Sequence, residues 1–362
     1  MRNISIIGAG NGGITAAADL QDRGFDVTLY EMPNFKQNLE GIEKEGGIHF
    51  DDGKGSRFIQ IKSVTTNIEK AVTGADFIML IVPGFAIETF AQLIAPHATA
   101  EQPILINGAG AMGSLRFVNE ARKMGIQTSF LIGETNSLTY GTRAFPAEAR
   151  VELSLRVKKL FLAAYPKANT AALLEASNEL FDCFVAAENI WHTTLENGNP
   201  EVHPGPSLLN AGRIDYSGGE FWLYKEGITK HSVKLLQAVE KERLAIGKAF
   251  GFDLENAIES RQNRGYFKKE DQDLQKLFNT SEVFTQIKGP YSVNSRYFTE
   301  DISSGLVLWS DLGTIAGVPT PNIDAIITIG GSILDTDFME EGLTLEKLQI
   351  NQHSVSELVD AV

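Results

Sequence analysis

The sequence predicts an α/β domain built on a parallel sheet, followed by a mainly α-helical domain. Three observations carry that expectation. Short apolar runs alternate with helix-period segments over the first 135 residues. A glycine cluster, "GAGNGG" at 8–13, lies between an apolar run and an alanine-rich stretch. Past about residue 151 the strand signal fades, and from 188 helical spacing is broken by Gly and Pro, which puts the join near Ala187.

Taken in order, 4–7, 26–30, 77–82, 103–107 and 128–132 read as strands, with helices at 12–23, 85–94 and 112–123 between them. Strands this continuously apolar belong to a parallel sheet covered on both faces. The piece 46–64 reads as a hairpin insertion with Asp52-Gly53 near its turn. The stretch 151–164 fits either element, and 170–180 reads as a helix. In 231–250, Leu236, Val239, Ile246 and Phe250 recur at helical spacing, with Lys and Glu on the other side. The expected domains are therefore 1–187 and 188–362.

Composition narrows the function. At 362 residues the chain exceeds one average domain of roughly 150 residues. Its formal net charge of −14 repels phosphate backbones, which argues against nucleic-acid binding. An anionic ligand must then be met locally, by backbone N–H groups or placed arginines. The single cysteine, Cys183, rules out an internal disulfide and a CxxC metal site. The longest apolar run, 77–83, is too short to span a bilayer. A strand beginning at Asn3 leaves no room for a signal peptide, so a cytoplasmic setting is expected.

The glycine spacing G-x-G-x-x-G falls on Gly8, Gly10 and Gly13, with Asn11 and Gly12 between. Alone it is a weak signal; between a strand and a helix it becomes a Rossmann dinucleotide loop. Gly8 permits the turn, Gly10 lets the backbone approach a pyrophosphate, and Gly13 lets helix and strand pack closely. Glu31 stands 23 residues after Gly8, where a carboxylate can accept from ribose hydroxyls and repel the extra phosphate of NADP. NAD is thus favoured over NADP as cofactor. Val82 and Pro83 in "IVPGFA" and Asn107 in "INGAGAMG" lie at later strand ends facing the same ligand. A flavin or a nucleotide-free loop is the alternative.

A dehydrogenase needs a proton donor beside the carbon that exchanges hydride, and histidine is the usual choice. Of the six, His49, His97, His231 and His353 read as solvated or capping residues. His192 sits beside Trp191 at helical spacing and fits a packing role. His203, restrained by Pro204 and Pro206 and followed by Ser207, Asn210 and Arg213, is the candidate. Neither a HExxH nor a G-x-S-x-G pattern occurs, so a zinc site and a serine hydrolase are disfavoured, and no metal is expected.

The segments "PEVHPGPSLLNAGR", "WLYKEGIT", "EKERLAIGKAFGF", "NSRYFTEDISSGLV" and "VPTPNIDAII", with "GETNSLTYGTRA" before them, resemble the opine dehydrogenases of the NAD/NADP octopine/nopaline dehydrogenase group. The resemblance covers nearly the whole chain. It implies a Rossmann domain joined to a helical domain, with the active site between them. It also implies reductive condensation of an α-keto acid with the amino group of an amino acid. The family's H-P histidine falls on His203, the carboxylate of its R-Y-x-x-x-D motif on Asp301, and the arginine of that motif on Arg296. Thr135, in "GET", is the implied keto-acid contact. Small-molecule substrates and a homodimer complete the expectation. Two alternatives stand beside it: a ketopantoate reductase-like keto acid reductase, and a non-catalytic NAD-binding sensor.

Overall fold

The apolar run that opens the chain becomes an interior strand of a large sheet. The computed structural model describes residues 1–362 except Gly110 and Gln352. The described strands are β1 (Asn3–Ile7), β2 (Asp26–Tyr30), β3 (Gly47–Asp51), β4 (Ser56–Gln60), β5 (Ser63–Thr65), β6 (Phe77–Leu80), β7 (Ile104–Ala109), β8 (Ile132–Thr135), β9 (Tyr140–Phe145), β10 (Arg150–Arg156), β11 (Leu160–Tyr165) and β12 (Phe184–Ala186). Eight of them form a sheet in the order β12-β11-β8-β7-β6-β1-β2-β5. From β5 to β8 every pair is parallel; β11 runs antiparallel to β8. Ile4, Ile6, Ile7 and all of Phe77–Leu80 are fully buried, as strands covered on both faces require.

Strand order reverses beside β1. The chain leaves β1 for β2 and β5 on one side, then returns to β6 on the other. A ligand crevice forms outside the carboxyl ends of strands at such a switch point. The helices of this unit are α1 (Asn11–Asp22), α2 (Gln37–Glu45), α3 (Ile68–Val72), α4 (Ile87–Ile94), α5 (Gly113–Lys123) and α6 (Thr170–Asn178). The expected helices at 12–23, 85–94, 112–123 and 170–180 fall on α1, α4, α5 and α6.

Helix α1 is buried from Gly12 to Leu20 without interruption. Such a helix needs cover on all sides. A second sheet, in the order β4-β3-β10-β9, supplies it. The buried Asp19 of α1 accepts from Tyr140 Oη of β9 at 2.9 Å and from Arg156 Nε of β10 at 2.9 Å. Thr15 Oγ1 meets Thr142 Oγ1 at 2.7 Å.

The two sheets correct three sequence expectations. The hairpin 46–64 is β3 and β4, but its last residues begin β5 in the large sheet. The ambiguous stretch 151–164 is covered by two strands, β10 and β11, so strand structure persists beyond 151. The strand expected at 128–132 starts four residues later as β8, where Ile132 to Thr135 pair with β11 on one side and β7 on the other.

The chain divides into two units, Met1–Ile190 and Trp191–Val362. The second is helical: α7 (Ile190–Leu195), which begins at the join, then α8 (Asn199–Val202), α9 (Pro204–Leu208), α10 (Ala211–Tyr216), α11 (Lys230–Ala249), α12 (Ala257–Arg264), α13 (Leu274–Thr280), α14 (Arg296–Glu300), α15 (Val307–Ala316) and α16 (Pro321–Leu334). The spacing noted at 231–250 is α11, whose Leu236, Val239 and Ile246 are fully buried. Thr229 and Ser232 close a reciprocal cap at its start. Two single π-helical turns interrupt the regular structure, Leu223–Gly227 and Asp301–Leu306. No helix among the described residues is long and apolar enough to cross a membrane.

A buried charge network ties α8, α11 and α12 together. Arg243 donates to Glu201 at 3.0 Å and to the carbonyls of Leu195 and Glu255 at 2.9 and 2.8 Å. Arg261 reaches the other oxygen of Glu201 at 3.4 Å. Next to them Glu196 accepts from the Glu255 N–H at 2.7 Å, and burial pushes its carboxyl up to about 7. A carboxyl raised by folding stabilises the fold below its unfolded value and loses that contribution as pH rises through 7. Chemical denaturation at several pH values should show E196Q gaining on the wild type between pH 4 and 8, by about 3 kcal/mol at most. A pH-independent difference would remove burial as the cause.

Candidate active site

The glycine loop follows directly from β1. Gly8 has φ +103°, and a Cβ there would lie 2.4 Å from the Ile81 carbonyl oxygen. A Cβ on Gly13 would lie 1.7 Å from the Gly8 carbonyl oxygen, so the loop and the first turn of α1 close only with glycine at both positions. Gly10 differs: nothing lies within 4 Å of a Cβ placed on it. This open space, beside a helix start with no side-chain cap and no acidic residue in its first turn, fits a pyrophosphate. The Asn11 side chain is turned to the second sheet, accepting from the Ala144 N–H at 2.9 Å.

Glu31 stands at the end of β2, 7% exposed. Its Oε2 accepts from the Ala9 N–H of the loop at 3.0 Å and from Asn38 at 3.3 Å, and its Oε1 from the Met32 N–H at 2.8 Å. Three donors leave a carboxylate about one acceptor site. Val82, half-buried, and Pro83, exposed, follow β6. Arg116 pins that segment through the Gly84 carbonyl at 2.9 Å.

Two expected site residues turn out to be fasteners. Asn107 is buried and committed to Thr139, donating to its Oγ1 at 2.8 Å and accepting its N–H at 3.2 Å. The Thr135 hydroxyl donates to the Ser137 carbonyl at 2.8 Å and accepts from the Gly108 N–H at 3.1 Å. Glu134 completes the group. It accepts from the N–H groups of Met112 and Ser114 at 3.0 and 2.8 Å, and burial pushes its carboxyl up. It thereby holds Met112 in the left-handed region, at φ +60°. Gly110 of this loop lies outside the described residues.

In the helical unit His203 is 3% exposed and lies between α8 and α9. Its N–H donates to the Asn199 carbonyl at 2.9 Å, and its own carbonyl accepts from Ser207 at 3.0 Å. A Cβ on Gly305 would lie 2.3 Å from Pro200, so α8 and the π-helical turn that opens with Asp301 touch at that glycine. His203 Nδ1 then meets Asp301 Oδ2 at 2.7 Å. Its Nε2 meets Tyr224 Oη at 2.7 Å, and Tyr297 stacks on the ring with centroids 3.8 Å apart and planes 3° apart. The Arg296 side chain, at the start of α14, is exposed and makes no hydrogen bond or ion pair among the described residues; desolvation by its neighbours is outweighed by the negative charges of Glu300 and Asp301, which raise its pKa.

The structure thus brings His203 and Asp301 together, in the unit that also carries Arg296. Sequence reasoning missed Tyr224 and Tyr297. Both lie inside motifs already noted, "WLYKEG" and "RYFTED", but an aromatic next to a charge gave no sign of a histidine partner. Of the other histidines, His192 stacks on Phe252 at 5.0 Å with its Nε2 3.9 Å from Glu196 Oε1, and His49 packs at a tilt on Phe58 at 5.1 Å. No group of three metal-ligating side chains occurs among the described residues.

A dinucleotide-type glycine loop in one unit and a buried histidine–carboxylate pair in the other are features of a nicotinamide-dependent dehydrogenase. Known proteins agree. The family model described as NAD/NADP octopine/nopaline dehydrogenase, alpha-helical domain, matches residues 186–334. The one described as NAD-dependent glycerol-3-phosphate dehydrogenase N-terminus matches 3–127. An opine dehydrogenase of Arthrobacter sp. (strain 1C) is 33% identical over 361 residues, covering 100% of this chain and 99% of that protein. The octopine dehydrogenase of Mizuhopecten yessoensis is 26% identical over 90% of this chain and 88% of its own. In fold, octopine dehydrogenase solved with NADH and L-arginine superposes with a TM-score of 0.77 at 18% identity, covering 100% and 98% of the two chains. A ketopantoate reductase from Ralstonia eutropha JMP134 superposes at 0.61 and 15%, covering 92% and 99%. The chain belongs to the opine dehydrogenase family, NAD(P)-dependent oxidoreductases acting on CH–NH groups.

The glycine geometry separates two roles. Gly13→Ala should lose a folded first unit, whereas Gly10→Ala should keep its thermal transition and bind NADH at least about tenfold more weakly, its methyl filling the phosphate space. Thermal melts with NADH titrations check this. Unchanged NADH affinity in Gly10→Ala would contradict the phosphate assignment.

Proposed function

We propose that this enzyme condenses an α-keto acid such as pyruvate with the amino group of an amino acid and reduces the resulting imine, or runs the reverse oxidation. The observation that carries the reading is the buried His203–Asp301 pair at 2.7 Å, five residues beyond an exposed Arg296 whose side chain makes no hydrogen bond or ion pair among the described residues. Both substrates carry a carboxylate, and the planar guanidinium of Arg296 can pair with one in bidentate fashion. Imine formation requires a proton on the departing hydroxyl of a carbinolamine. The acid function of His203 delivers it, the C–O bond breaks, and water leaves with the electron pair. General acid catalysis of this kind contributes about 10²–10⁴-fold. Asp301 holds Nδ1–H and so leaves Nε2 as the exchanging nitrogen.

A bound nicotinamide dinucleotide supplies the hydride. Gly10, Asn11, Gly12 and Gly13 would receive its pyrophosphate on backbone N–H groups, beyond the turn made by Gly8, whose own N–H donates to the Tyr30 carbonyl at 2.9 Å; Val82, Pro83 and Asn107 would frame the neighbouring strand ends. The spare acceptor site of Glu31 suits a ribose hydroxyl, and its charge opposes an added phosphate; NAD is therefore preferred to NADP. Thr135 serves the keto acid indirectly, through the loop it holds. The reading also includes a homodimer and a cytoplasmic setting, the latter supported by the lone, buried Cys183.

The test is a matrix of keto acids against amino acids, followed by oxidation of NADH and of NADPH. Oxidation should require both substrates and favour NADH. His203→Asn should keep NADH binding while turnover falls at least about 100-fold. Oxidation by a keto acid alone, indifferent to amines, would assign a simple keto acid reductase instead. NADH binding without turnover on any pair would leave a sensor.

A further inference from the structure

The imidazole at the centre of this site has no free nitrogen. Nδ1 is taken by Asp301 and Nε2 by Tyr224, each at 2.7 Å, and Tyr297 covers one face of the ring. A substrate oxygen can therefore reach the histidine's proton in two ways only: through the Tyr224 hydroxyl, or after displacing it.

The surroundings of Tyr224 oppose displacement. Its ring is 4% exposed and stacked on Phe284 at 4.6 Å and on Phe278 at 5.7 Å. Its carbonyl accepts from Asn279 Nδ2 at 2.8 Å. The two ring stacks and the bond to His203 hold the side chain, the Asn279 bond holds its backbone, and moving the phenol would break the first three. Both partners of His203 also come from π-helical turns, Leu223–Gly227 and Asp301–Leu306. Such turns are rare and recur at functional sites.

We propose that Tyr224 is a further acid–base residue of the reaction, the group through which His203 passes its proton to the substrate. This rests on the reading that His203 is the acid. In the condensing direction the Tyr224 O–H bond breaks as the proton joins the carbinolamine oxygen, and the His203 Nε2–H proton moves to the phenol oxygen. The C–O bond of the carbinolamine breaks and water departs. The phenol is restored, and the imidazole alone has lost a proton. Burial holds the Tyr224 phenol well above its ordinary range, so it stays protonated and able to donate and accept at once. The Tyr297 hydroxyl lies near enough to act on that of Tyr224, and its helix begins with Arg296, which would hold the substrate carboxylate.

The experiment compares the unaltered enzyme with Tyr224→Phe, using the keto acid and amino acid pair that the wild type turns over. The phenylalanine should lower kcat about 100-fold, with NADH affinity unchanged and the KM for the keto acid moved less than about threefold. Rates in mixtures of light and heavy water should depend on deuterium content non-linearly in the wild type, where two protons move, and linearly in Tyr224→Phe. A kcat within about threefold of the wild type, or an unaltered deuterium profile, overturns the relay; a faster variant shows that Tyr224 merely blocks. Should Tyr224→Phe not fold, 3-fluorotyrosine at 224 keeps the shape and makes the phenol more acidic: a changed kcat supports the relay and an unchanged one overturns it. No turnover by the wild type on any pair overturns the functional reading and this inference together.

Discussion

The chemistry proposed for the helical unit depends on one buried hydrogen bond, from His203 to Asp301. A carboxylate taken out of water costs several kcal/mol unless a partner meets it in good geometry. The partners are 98 residues apart in sequence, so the scaffold must place both before the bond can form. It does so in two ways. Pro200 against Gly305 sets how closely α8 approaches the turn of Asp301. Arg243 and Arg261, closing on the two oxygens of Glu201, fix α8 from the other side. Glu201 lies two residues before the histidine, so a slip in that network moves the imidazole.

The first unit meets a different demand with the same economy. A chain of net charge −14 must hold an anionic cofactor. The start of α1 offers it uncapped backbone N–H groups rather than basic side chains. That choice requires glycines whose neighbours leave no room for a methyl, and a helix packed on every side. The second sheet is what makes the buried α1 possible, through Asp19, Thr15 and Asn11. Glu31 then ties the loop to the end of β2.

Legibility followed the range of the interactions. The glycine loop, Glu31 and α11 are encoded by neighbours in sequence, and their spacing is readable directly. The positions of β8 to β12 are not, because those strands owe their registers to pairings such as β10 with β3 across a hundred residues. Candidate residues divide in the same manner. His203, Asp301 and Arg296 carried motif signals. Asn107 and Thr135 stand at the right strand ends, but their side chains are spent on the backbone and side chain of the next loop, which only coordinates reveal. Tyr224 is the reverse case: its sequence context reads as core, and its one polar atom lands on the histidine.

The orientation of the imidazole can be read without turnover. With histidines labelled in nitrogen-15, the magnetic resonance of His203 should show a protonated Nδ1 whose hydrogen exchanges slowly with solvent, and replacing Asp301 by leucine should abolish that slow exchange. A ring protonated at Nε2 alone, or one indifferent to the loss of Asp301, would contradict the account at its centre.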